Sequence, residues 1–127
     1  DELNILRKGR NYGWPVITFG KNYDGSIVSD LTHKEGMEQP IRYWTPSPGL
    51  GPVAFYRGAM FPQWEQSIFV GSMRFEEIKR LELDGDRVMK EEKFLKGFGR
   101  VRDLKPGPDG ALYILLNNPH KVVRLRR

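Results

Sequence analysis

At 127 residues the chain is long enough for one small domain with its own core, and with no cysteine it can form neither a disulfide nor a thiolate site. Its net charge of +5 comes from 21 Lys and Arg against 16 Asp and Glu. These are scattered except at Arg124-Leu125-Arg126-Arg127, so the dense basic face of a nucleic-acid binder is missing, and no apolar run nears the ~18 residues of a membrane helix. The opening Asp1-Glu2-Leu3-Asn4 has neither a signal-peptide pattern nor an initiator Met, as expected of a processed or excised piece.

Residues 1–7 make a short alternating run that ends at Lys8-Gly9-Arg10, and Asn11-Tyr12-Gly13-Trp14-Pro15 follows as an aromatic turn. Residues 20–39 are rich in Gly, Asp, Ser and Lys without either periodicity, which predicts a long loop; ordered loops of that length are often functional. A short strand is expected over 40–44. The segment 45–52 is too dense in Pro and Gly to be regular.

From there the pattern becomes regular. Short runs at 53–57, 67–72, 77–83, 87–95, 101–104, 111–116 and 121–126 alternate with turn residues, and Asp84-Gly85-Asp86 is a hairpin signal. The chain reads as all-β. Residues 91–96 alone are ambiguous with helical spacing. Trp14, Phe55, Tyr56, Trp64, Phe69 and Tyr113 are expected between sheets, where aromatics pack well. Glu76 and Glu77 point to opposite faces of a strand and are expected to meet solvent or a salt bridge, while Glu91 and Glu92 sit on a charged outer strand.

The stretch with the most chemistry is Gly99-Arg100-Val101-Arg102-Asp103, followed by Gly107-Pro108-Asp109-Gly110. Regular alternation puts Arg100 and Arg102 on one face and Val101 on the other. Adjacent guanidiniums repel unless an anion lies between them, and their planar forks suit a carboxylate or phosphate. Two arginines on a solvated strand face are the alternative. Gly-Pro-Asp-Gly is turn chemistry, with Pro presetting φ, Asp bonding its own backbone and Gly accepting positive φ.

The chain also echoes itself. Ile68-Phe69-Val70 aligns with Leu112-Tyr113-Ile114, and Ile78-Lys79-Arg80-Leu81 aligns with Val122-Val123-Arg124-Leu125, at one constant offset. A repeat of about 40–50 residues made of short antiparallel strands is the signature of a β-propeller blade. The predicted fold is therefore all-β, with antiparallel four-stranded blades in a partial propeller arc. Residues 1–52 would be a blade remnant plus a long loop, 53–96 a full blade and 97–127 an incomplete last blade.

Several segments together resemble the soluble PQQ-dependent aldose sugar dehydrogenases, the glucose/sorbosone dehydrogenase family. They are Asp1-Glu2-Leu3-Asn4, Gly9-Arg10-Asn11-Tyr12-Gly13-Trp14-Pro15, His33-Lys34-Glu35-Gly36-Met37, Tyr43-Trp44 with Pro46-Ser47, Phe69-Val70-Gly71-Ser72, Arg80 to Val88, and Arg100-Val101-Arg102-Asp103 with the turn after it. The resemblance implies a six-bladed propeller of which this chain is the C-terminal third. It also implies oxidation of a sugar's anomeric hydroxyl to a lactone, PQQ and Ca²⁺ as cofactors, an aldose as substrate, and a periplasmic or secreted location.

By the same resemblance, Arg100 and Arg102 match arginines that contact PQQ. Arg74 stands where many members carry a lysine, and the two are not geometrically interchangeable. Trp44 and Ser47 match positions at the cofactor and substrate mouth. The segment from Ser47 to Ala54 departs from the usual pattern, which bears on substrate fit. Glu2 and the Tyr12 carbonyl match a calcium site, with Asp1 and Asp24 as further candidate ligands; an all-oxygen set suits Ca²⁺.

No catalytic residue is assigned in this chain. The family's general base is a histidine, and neither His33, in the long loop, nor His120, in a turn, matches it. The chain alone is therefore expected to be inactive and to supply PQQ contacts. The remaining blades would be its partners. The alternative is a non-catalytic β module for binding or assembly, closing a ring by self-association, since unpaired strand edges favour pairing.

Overall fold

The computed structural model describes all 127 residues, in two units spanning residues 1–48 and 49–127. It contains nine strands and one 3-10 turn, Pro62–Trp64, and no α-helix. In the first unit, β1 (Glu2–Leu3) pairs antiparallel with β2 (Arg42–Tyr43). The strand expected over 40–44 shrinks to these two residues. Most of the rest is turns that bond themselves locally. Asn11 Oδ1 accepts from the Gly13 N–H at 2.8 Å, Thr18 Oγ1 accepts from the Gly20 N–H at 2.9 Å, and the Phe19 ring stacks on Tyr43 at 3.8 Å. The loop predicted over 20–39 is present and carries only isolated bridges.

The second unit holds two antiparallel sheets. The first is four-stranded, in the order β3 (Leu50–Phe55), β4 (Ile68–Ser72), β5 (Glu77–Asp84) and β6 (Arg87–Phe94). The second runs β7 (Arg100–Pro106), β8 (Leu112–Asn117) and β9 (Lys121–Leu125). Residues 91–94, ambiguous in sequence, continue β6. The hairpin at Gly85 has φ 56°, the sign that primed turns need at their first central position. One expectation is corrected: β3 begins at Leu50, inside the segment read as irregular. It is an edge strand whose register shifts between Leu50 and Val53, and an edge with a bulge is where a sheet accepts Pro52.

The repeat seen in sequence is a repeat of register. Phe69 lies opposite Arg80 and Ile68 opposite Leu81; Tyr113 lies opposite Arg124 and Leu112 opposite Leu125. In both sheets the arginine is ion-paired. Arg80 binds Glu92 through Nε at 3.0 Å and Nη2 at 2.8 Å, and Arg124 binds Asp109. Lys90, and then Arg80, hold the Glu92 carboxyl below its ordinary range.

The core lies between the two sheets. Phe69 and Ile78 of the first face Val101, Leu104, Leu112, Ile114 and Leu116 of the second, with Tyr56 and Phe61 closing one end. Trp64 and Phe94 pack against this cluster, Trp64 at 5.3 Å from Phe69 and Phe94 at 5.8 Å from it, both edge-on in the manner aromatic quadrupoles prefer. The Tyr56 hydroxyl stays buried because it donates to the Gly110 carbonyl at 2.5 Å and accepts from the Phe61 N–H. The sheets approach closely at Gly71, where a Cβ would lie 2.5 Å from Val101 Cγ1.

Three aromatics expected in the core lie elsewhere. Trp14 is 68% exposed in its turn, and Phe55 is 58% exposed because it alternates with Ala54, which takes the core side. Tyr113 is half-buried between the buried Leu112 and Ile114, and its hydroxyl donates to Asp109. Glu77 makes a salt bridge, as one of its two expected roles has it, but a buried one. It shares a strand face with Lys79, to which it is ion-paired, and their side chains are only 3% and 1% exposed. Lys79 Nζ also lies 6.0 Å from the Phe75 ring.

Removing Glu77 leaves the buried Lys79 charge without its partner, at a cost of about 3–5 kcal/mol, whereas removing Lys79 leaves Glu77 with Lys93 Nζ at 3.9 Å. Glu77→Ala should therefore lower the unfolding free energy by about that much in urea titrations, and Lys79→Ala by less. The double change Glu77→Leu with Lys79→Met should cost clearly less than Glu77→Ala. Single variants within about 1 kcal/mol of the parent would show that the pair contributes little.

Candidate functional site

The site begins with the β7–β8 hairpin. Its turn is built as the sequence requires: the Gly110 N–H donates to the Gly107 carbonyl at 3.0 Å and Asp109 Oδ1 accepts from the Ala111 N–H at 3.1 Å. Gly110 has φ 79° and lies against Met60, so its conformation and its neighbour both favour glycine. Asp109 also takes the Arg124 guanidinium and the Tyr113 hydroxyl, so its charge is committed at the turn.

At the other end of β7 the alternation is interrupted. Val101 faces Leu116, but the next partners are Asp103 and Leu115, so Arg102 is an extra residue in the strand. Such a bulge re-aims a side chain, and bulges recur beside functional sites. Val101 and Leu104 are both buried while Arg100 and Arg102 are both exposed. The two arginines thus turn away from the core as alternation predicts, although the strand carrying them is not regular.

Neither arginine is neutralised within the chain. Arg100 has no ion pair, and Arg102 donates only to Met73 Sδ, at 2.9 Å. The nearest acid in sequence, Asp103, spends Oδ1 on the Leu104 N–H. Arg102 borders an open depression whose other lining includes Asn117, His120 and Lys121 beside Leu115 and Val122. This is a cationic surface with hydrogen-bond donors and a partly apolar floor, suited to an organic polyanion. Arg74 is exposed in the β4–β5 turn, with its guanidinium 5.6 Å from the Phe75 ring. That turn is pinned by the Met73 N–H donating to the Gly49 carbonyl at 2.7 Å.

In the first unit, Trp44 and Ser47 are brought together with Asp1. The Asp1 ammonium donates to the Trp44 carbonyl at 3.1 Å and Ser47 Oγ donates to Asp1 Oδ2 at 2.7 Å. The Arg42 guanidinium lies 5.8 Å from the Trp44 ring. Of the candidate calcium ligands, Asp24 is engaged in its own turn, where the Ser26 hydroxyl and N–H hold its carboxyl below the ordinary range. The Tyr12 hydroxyl bridges the Ile5 carbonyl and the Arg7 N–H. No three acidic or histidine side chains gather to hold a metal.

Glu2 has a different neighbour. Asn4 Nδ2 donates to Glu2 Oε2 at 3.3 Å, and Asn4 Oδ1 is the buried side-chain oxygen that finds no partner. An orphaned amide oxygen beside a carboxylate is the kind of donor set a hard cation accepts. Sequence reasoning missed Asn4, although its i, i+2 spacing from Glu2 was a usable signal, and it missed Met73, which looks like an ordinary apolar turn residue. His33 and His120 are exposed in a loop and a turn, and neither forms part of an acid–base pair.

The chain is 42% identical over 118 residues to the aldose sugar dehydrogenase YliI of Escherichia coli (strain K12), covering 91% of this chain and 32% of that protein. It superposes on a crystal structure of a glucose dehydrogenase with a TM-score of 0.92 at 42% identity, over 99% of this chain and 38% of that one. A PQQ-bound aldose sugar dehydrogenase from Streptomyces coelicolor shares the fold, with a TM-score of 0.73 at 23% identity over 99% of this chain and 36% of that one. The chain thus spans about a third of the length of its relatives, and its antiparallel sheets are blades of their propeller. The model of the family Glucose / Sorbosone dehydrogenase matches residues 1–124, and the chain belongs to that family.

Proposed function

We propose that this chain is the part of a PQQ-dependent aldose sugar dehydrogenase that grips the cofactor's carboxylates. The observation that carries this reading is the pair Arg100 and Arg102, displayed on a bulged strand with no carboxylate partner in the chain. Bound PQQ would supply the acceptor for the two electrons released when a sugar's anomeric hydroxyl is oxidised to a lactone. The guanidiniums of Arg100 and Arg102 would hold its carboxylates through N–H donors in a planar fork, which an ammonium lacks. Arg74 adds a third cation, and Trp44 and Ser47 are further cofactor contacts by family resemblance. No residue of this chain accepts the sugar's proton, so the base belongs to another part of the enzyme. The same reading places the protein in the periplasm or outside the cell; no helix is long and apolar enough to cross a membrane.

Calcium belongs to this reading through Glu2. Its carboxylate, the orphaned Asn4 Oδ1 and the Tyr12 carbonyl are the oxygens that would hold the ion, with Asp1 as a further candidate. Its role would be to tie the start of the chain down, with no part in the chemistry of the sugar. A second reading, a non-catalytic module that self-associates, is favoured by the exposed apolar side chains Val53, Phe55, Leu115 and Val122 on the two sheets. A monomeric mass in sedimentation equilibrium would remove it.

Each charged hydrogen bond contributes about 1.5–3 kcal/mol, so Arg100→Ala with Arg102→Ala should weaken PQQ binding by about 100-fold or more. Equilibrium dialysis read by quinone absorbance measures this, and unchanged affinity in the double variant overturns the reading. Calcium in excess should raise the thermal unfolding midpoint, a stabilisation of about 2.7 kcal/mol when it stands at 100 times its dissociation constant. Glu2→Gln should abolish the rise. A midpoint indifferent to both Ca²⁺ and chelator would refute the calcium assignment.

A further inference from the structure

Arg102 has one polar partner in the chain, and that partner is a thioether. Met73 is held from two sides. Its N–H is bonded to the Gly49 carbonyl, and its Cγ and Cε lie 3.8 and 3.9 Å from the place a Cβ on Gly51 would occupy. The half-buried side chain is thus laid along the start of β3, with its sulfur presented to β7. Arg102, as the extra residue of the bulge, has no ladder partner opposite to fix it. A long side chain in that position would otherwise lose much rotamer freedom on engaging a ligand.

The chemistry of the acceptor decides what the contact does. A carboxylate at this position would orient the guanidinium but also neutralise it. A thioether is a weak, uncharged acceptor that occupies one of five N–H donors. It fixes the direction of the fork and leaves both its charge and its remaining donors for an anion.

We propose that Met73 is a positioning residue, whose sulfur holds the Arg102 guanidinium ready for a cofactor carboxylate without compensating its charge. This rests on the reading of Arg102 as a PQQ contact. Met73→Leu keeps the volume and removes the acceptor, whereas Met73→Gln keeps the length and restores one. In PQQ titrations followed by quinone absorbance, Met73→Leu should bind about 5- to 10-fold more weakly than the parent, the loss expected for one net hydrogen bond. Met73→Gln should recover to within about 2-fold. Thermal unfolding midpoints of the two variants should agree.

Leucine binding PQQ as tightly as methionine overturns the proposal, and so does glutamine binding as weakly as leucine, since packing alone would then explain the effect. A second readout needs no cofactor. In ¹⁵N spectra of the chain, rotation of the Arg102 guanidinium should be hindered in the parent and in Met73→Gln, and averaged in Met73→Leu. Averaged signals in the parent overturn the positioning role. Hindered signals without any PQQ binding overturn the cofactor reading while leaving the sulfur contact standing.

Discussion

Val101 is driven against Gly71 across the core, and the direction of two charges follows from that contact. Nothing larger than glycine fits opposite it, since a Cβ there would lie 2.5 Å from Val101 Cγ1, so β7 packs closely on β4. With Val101 and Leu104 committed to the core together with Ile114 and Leu116, the residues flanking Val101 must face outward. Arg100 and Arg102 are therefore turned to the far side of the strand by apolar packing, and the contact of Arg102 with Met73 Sδ adds direction without adding a counter-charge. A cation displayed in this way needs no acid beside it to be held in place.

Charge is distributed to the same effect. Acids near the sheets have work elsewhere: Asp109 closes the hairpin turn and takes Arg124, Glu92 takes Arg80, Asp103 caps the Leu104 N–H, and Glu77 is matched to Lys79 inside the fold. Arg80 and Arg124 occupy equivalent places in the repeat and both are paired, whereas Arg100 stands without an ion pair. The contrast separates arginines whose charge is matched within a sheet from those that no acid of the chain takes up. Two uncompensated guanidiniums on one strand raise the local potential and lower the cost of desolvating a multiply charged anion.

Much of this was legible in the sequence because it is local. Asp84-Gly85-Asp86 and Gly107-Pro108-Asp109-Gly110 carry their own turn geometry, and the constant offset between Phe69 and Tyr113 reports a register that the two sheets do share. What was not legible depends on partners far along the chain. Pro52 suggested irregular structure, yet an edge with a shifted register accepts it. Trp14 and Phe55 suggested core by type, but Phe55 alternates out of it and Trp14 sits in an exposed turn. The bulge at Arg102 leaves no mark in composition, because it records a mismatch with β8 that only pairing reveals.

Displaying a cation and moving a proton make different demands on a fold. Gripping a carboxylate needs one hairpin, one bulge and two side chains, and all of these lie between Arg100 and Asn117 with a brace at Met73. Moving a proton needs a base of suitable pKa placed against a substrate that is itself held in position, a requirement that draws on several blades at once. His120 borders the cationic depression by accident of the β8–β9 turn and has no carboxylate to orient it. The direction of Arg100 and Arg102 is thus set by strands close at hand, with Val101 against Gly71 and Arg102 against Met73, a demand that two neighbouring sheets meet by themselves.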